Sequence, residues 1–78
     1  MTRYFTYIEP DENMEPVTIT VSEDELKEGY YKYWYERMTS KYGRVVVERD
    51  YTFEDCLDDF KAVNLAWESD KNGNKHDR

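Results

Sequence analysis

The sequence predicts an α+β fold: a β-hairpin, a long helix, a short third strand and a second helix, with both helices packed on one face of a small sheet. Three observations predict it. Val17-Thr18-Ile19-Thr20-Val21 alternates apolar with polar, the pattern of a half-buried strand. Ser22-Glu23-Asp24-Glu25 reads as a capping box, in which the Ser22 hydroxyl takes the amide proton of Glu25 and the Glu25 carboxylate reaches back to the Ser22 amide. In residues 52–67, Phe53, Cys56, Leu57, Phe60, Val63, Asn64 and Trp67 fall on one helical stripe, while Glu54, Asp55, Asp58 and Asp59 gather opposite.

Residues 3–8 are aromatic and β-branched, which suits a first strand, and either Tyr4/Ile8 or Phe5/Tyr7 could form its inner face. Pro10, Asp11, Glu12, Asn13 and Pro16 supply turn chemistry, so the hairpin carries a long acidic loop. Val17, Ile19 and Val21 of the second strand point one way. The first helix should run from its Ser22 cap to about Tyr42, with a Val21–Leu26 staple, Arg37 and Lys41 near its negative end, and Gly43 as a left-handed stop. Leu26, Tyr30, Tyr33, Trp34 and Met38 make its inner stripe; Tyr31 and Tyr35 lie on a flank. Gly29 costs about 1 kcal/mol against Ala within a helix, so another element should cross closely there.

Arg44-Val45-Val46-Val47-Glu48 is β-branched and reads as a short third strand; if it runs parallel to the second, the crossover helix is right-handed. Thr52 with Asp55 repeats the capping logic, Tyr51 and Cys56 are spaced for a staple, and this second helix should end near Glu68. Residues 1–68 then form a single α+β domain. Residues 69–78 have nothing to bury and should be a disordered tail that includes the sole histidine, His76.

A chain of 78 residues with one cysteine has no intramolecular disulfide to lean on. Cys56 sits on the apolar stripe, as expected of an inert core thiol in a reducing compartment, and cytoplasmic location is the default. Stability must come from two tryptophans, eight tyrosines and three phenylalanines, each ring burying about 150–250 Å² when enclosed. One small core cannot hold them all, so some tyrosines should face a partner. The net charge of −7 opposes direct contact with nucleic acid and favours basic partners, including the nucleic-acid-binding grooves of other proteins. With no apolar run of about 18 residues and no signal-peptide core, neither a membrane nor secretion is expected.

Two acidic groups are candidate partner sites. Glu54, Asp55, Asp58 and Asp59 form the first; acids in the first turn of a helix favour its positive end without any partner, which explains Glu54 and Asp55 better than Asp58 and Asp59. Asp11, Glu12 and Glu15 of the hairpin loop form the second, with Glu9 and the acids of the first helix nearby. Brought together, they would resemble the spaced phosphates of a nucleic acid. Tyr31 and Tyr35 are candidate interface residues; a base-stacking role for this aromatic run conflicts with the charge balance. No cofactor, metal or catalytic site is expected. The acid spacing matches no calcium loop, and no motif activates Cys56 or His76.

The succession of an aromatic-rich strand, an acidic loop, Val-Thr-Ile-Thr-Val-Ser-Glu, Tyr-Tyr-x-Tyr-Trp, Glu-Asp-Cys-Leu-Asp-Asp-Phe and Asn-Leu-Ala-Trp-Glu resembles small uncharacterised proteins encoded by phages and prophages of enteric bacteria, over residues 4–68. The resemblance transfers no activity residue by residue. It implies a context in which small acidic phage proteins inhibit host enzymes or defence systems, anti-CRISPR and anti-restriction proteins among them, some by imitating DNA. The expected function is therefore a non-enzymatic inhibitor that binds a host protein through an acidic surface. The alternative is a structural or assembly protein that self-associates, as a homodimer for example, through exposed tyrosines.

Overall fold

The computed structural model describes residues 2–75 and has an α+β fold. Strands β1 (Tyr4–Pro10) and β2 (Pro16–Ser22) form the hairpin, followed by helices α1 (Glu23–Glu28), α2 (Tyr30–Tyr42), α3 (Arg44–Asp50) and α4 (Phe53–Asn64) and by strand β3 (Trp67–Ser69). The sheet is antiparallel throughout, in the order β2-β1-β3.

Register settles the inner face of β1. Phe5 lies opposite Val21 and Tyr7 opposite Ile19, so the Phe5/Tyr7 side faces the helices. Phe5, Leu26, Leu57 and Phe60 form the buried core, with Tyr7, Val21, Tyr30, Phe53 and Ala66 packed around it. Tyr7 and Tyr30 both meet the Phe60 ring edge-on, at 5.6 and 5.1 Å between centroids. In a second aromatic group, Tyr31 and Trp34 of α2 stack on each other and join the helix to Phe53 and Tyr51 respectively.

Both capping boxes form. Ser22 and Thr52 each accept the amide of the residue three positions on, and Glu25 and Asp55 reach back to the cap amides. The first helix, however, is not continuous to Tyr42: it breaks at Gly29, which caps α1 and starts α2. Among the described residues no element crosses at Gly29, where an added Cβ would meet only the Glu25 carbonyl at 3.6 Å. Glycine's weak helix propensity shows here as a break in the helix rather than a close packing contact.

Residues 45–47 are helical and not a strand. The third strand is β3, which occupies the edge of β1 opposite β2, and α3 instead buries Val47 while leaving Val45 exposed. The second helix ends at Asn64 rather than Glu68, because Leu65 turns left-handed (φ 53°, ψ 40°) and frees the chain to return as β3. Two stripe positions are also outside the core: Tyr33 is 60% exposed and Val63 67%.

The expectation that residues from Ser69 onward have nothing to bury does not hold for residues 69–75. Ser69 is fully buried in β3 and its hydroxyl meets that of Thr6 at 2.7 Å; Thr6 in turn meets Thr20 at 2.8 Å. These hydroxyls lie on the sheet face away from the helices, beneath a loop whose Gly73 approaches Thr6 and Thr20 closely. The Trp67 indole donates to the Gly73 carbonyl at 3.2 Å, and Ser69 bridges Lys75. His76 lies outside the described residues.

Candidate functional site

The acids of α4 are largely committed inside the molecule. Arg3, at the start of the chain, donates to both Glu54 oxygens and to Glu23 Oε2, tying α4 and α1 to β1. Those hydrogen bonds hold both glutamate carboxyls below their ordinary range. Asp55 holds the Thr52 cap. Asp59 accepts the Tyr30 hydroxyl at 2.7 Å; burial, and then this bond, pushes the Tyr30 phenol upward. Asp58 faces out, 3.9 Å from Lys61 Nζ. The helical period was legible in the sequence, but partners as distant in the chain as Arg3 and Tyr30 carried no local signal.

Tyr31 and Tyr35 likewise serve the fold. Tyr31 stacks on Trp34 and meets Phe53 and Tyr35 edge-on, and the Tyr35 hydroxyl donates to Glu48 Oε2 at 3.3 Å. Their outer edges, with Lys32 and Glu36, line a shallow depression of about 310 Å³. The more exposed tyrosines are Tyr33 and Tyr42, so assembly through tyrosines would draw on these two.

Asp11, Glu12 and Glu15 are brought together at the hairpin tip, and none of them forms an ion pair among the described residues. The tip is ordered by its own bonds. Asp11 Oδ1 accepts the amides of Asn13 and Glu15 at 2.8 and 2.9 Å, Asp11 N donates to Glu15 O, and Met14 N donates to Asp11 O. Residues 70–74 repeat this pattern bond for bond around Asp70, Asn72, Gly73 and Asn74. The shared signal is Asp-x-Asn-x-x, which occurs at both places in the sequence. In both loops the fourth residue is left-handed: Gly73 at φ 89° and Met14 at φ 64°. Met14 is also 77% exposed.

Cys56 is fully enclosed, and burial pushes its thiol up to about 11, so it stays protonated at neutral pH. Among the described residues, no group of three or more histidine, cysteine or acidic side chains is placed to hold a metal ion, and no helix is long and apolar enough to cross a membrane. No protein-family model matches the chain, and neither a curated protein nor a solved structure does.

Proposed function

We propose that the chain is a binding protein without catalytic activity, which sets its acidic hairpin tip against a basic, nucleic-acid-binding surface of a host protein; the resemblance to small uncharacterised phage and prophage proteins supplies the context, one in which anti-CRISPR and anti-restriction inhibitors occur. Met14 is the observation that carries this reading. A left-handed backbone costs a side-chain-bearing residue on the order of 1 kcal/mol, and the equivalent position of the second loop holds glycine. Folding alone gives no reason for a large apolar side chain there, since it packs against little. A flexible thioether surrounded by Asp11, Glu12 and Glu15 combines long-range attraction for a basic surface with an apolar anchor at the contact.

Met14→Gly separates folding from binding. It should melt no lower than the parent, because strain is relieved, yet retain less of the basic protein that the tagged parent captures from an enteric bacterial lysate. Duplex DNA should compete for that capture and high salt should release it. Reversing Glu12 and Glu15 to Lys should abolish it. Capture that survives both changes would mean that the tip is only a turn.

A further inference from the structure

We infer that β2 is a self-pairing edge, and that a second copy of this chain adds to it antiparallel about a two-fold axis through Ile19, giving a six-stranded sheet. Among the described residues, the outer edge of β2 has no neighbour in the sheet order β2-β1-β3. It also lacks the usual protections. Between Val17 and Val21 there is no charge, proline or bulge, and Pro16 guards only the start of the strand.

The sequence of this edge reads the same in both directions, Val-Thr-Ile-Thr-Val, with Ile19 at its centre. Antiparallel pairing about Ile19 therefore sets Ile19 against itself, each Thr18 against a Thr20 and each Val17 against a Val21. The backbone is in phase with that pairing. Glu23 N donates to Arg3 O at 2.8 Å, so alternate pairs of the same register, including Tyr7 with Ile19, exchange the β1–β2 bonds. The amides and carbonyls of Thr18 and Thr20 must then point away from β1, and these are the groups the symmetric pairing joins. Like-with-like threonine pairs on one face and β-branched pairs on the other are favourable cross-strand neighbours. Val17, 39% exposed, and the partly exposed Ile19 would lose contact with water.

Charge opposes the association. Each copy carries −7, and the register places Glu15 opposite Glu23 of the second copy, although Arg3 already holds that Glu23. Self-association should therefore strengthen with salt, whereas binding of a basic partner by the hairpin tip weakens.

Sedimentation of the purified chain over a concentration and salt series tests the inference without any partner, so its outcome is independent of the proposed function. The expected result is a monomer–dimer equilibrium that shifts toward dimer as salt rises. Thr18→Pro removes an outward-facing donor and leaves the β1 ladder intact; it should raise the dimer dissociation constant about tenfold or more. Ile19→Cys reports independently of that variant's folding. On the axis, two Ile19 positions form a non-hydrogen-bonded pair about 4.5 Å apart at Cα, within disulfide range, so air oxidation should give a covalent dimer. The enclosed Cys56 stays silent, and Val45→Cys, exposed on α3, should cross-link far more slowly. A parent chain that stays monomeric at millimolar concentration, or Ile19→Cys that links no faster than Val45→Cys, would overturn the inference.

Discussion

Arg3 shows how one side chain fixes the state of two others. Its guanidinium lies 2.9 Å from Glu23 and also engages Glu54, so both carboxyls stay ionised to lower pH when the chain is folded than when it is unfolded. A depressed folded-state value gives stability that is complete above the unfolded glutamate value of about 4.3 and is lost as pH falls through it to the folded value. Arg3→Met should lower the melting temperature at neutral pH, and the gap to the parent should close as pH falls below about 4. Because Glu54 is largely exposed, the two ion pairs together contribute about 1 kcal/mol, or about 4–8 °C for a domain of this size. A gap that persists unchanged at pH 3 would assign the effect to packing of the arginine stem. The same scale changes how the α4 acids are probed. Reversing Asp59 would strip Tyr30 of its acceptor as well as altering surface charge, so only Asp58 offers a clean surface substitution.

At the scale of elements, the features legible in the sequence were those whose signals are local. The two capping boxes and the alternating second strand draw on residues within a few positions, and all three form. Val45-Val46-Val47 misled because β-branched preference is weak against tertiary context. The run follows Gly43, and α3 packs beside α2 with Val47 buried and Tyr35 bonded to Glu48, while the third place in the sheet, beside β1, is taken by β3. Gly43 itself adopts φ 89° and ψ 151°, outside the left-handed helical region expected of a helix stop and in territory open essentially to glycine. Gly43→Ala should therefore cost about 1–3 kcal/mol even though nothing lies within 4 Å of the added methyl. Urea unfolding should show a lower midpoint with an unchanged slope. Gly29→Ala, at negative φ with only the Glu25 carbonyl nearby, should cost much less; equal losses would contradict the conformational explanation.

For the whole molecule, the end of the sheet around Phe5 and Thr6 is covered on both faces, by different means, while the end toward the hairpin tip stays exposed. The helices cover Phe5 and Tyr7 with aromatic and aliphatic side chains, whereas the opposite face closes over linked hydroxyls of Thr20, Thr6 and Ser69, the last also donating to Asp70 O. Polar, glycine-bearing residues 70–75 carry no hydrophobic period, so sequence patterning could not reveal that they shield buried hydroxyls. Their twin, the hairpin tip, was legible as a turn through its prolines and acids, but the strain at Met14 depends on a backbone angle that no residue pattern states. Ending the chain at Ser69 provides the test at this scale. Removing residues 70–78 takes away the acceptors of Trp67 Nε1 and Ser69 Oγ and opens Thr6 to water. Two such bonds are worth about 2 kcal/mol together, which corresponds to a fall of about 8–16 °C in melting temperature. A dispensable tail would leave the melting temperature where it was, and that outcome would remove the second face of the sheet from the account of stability.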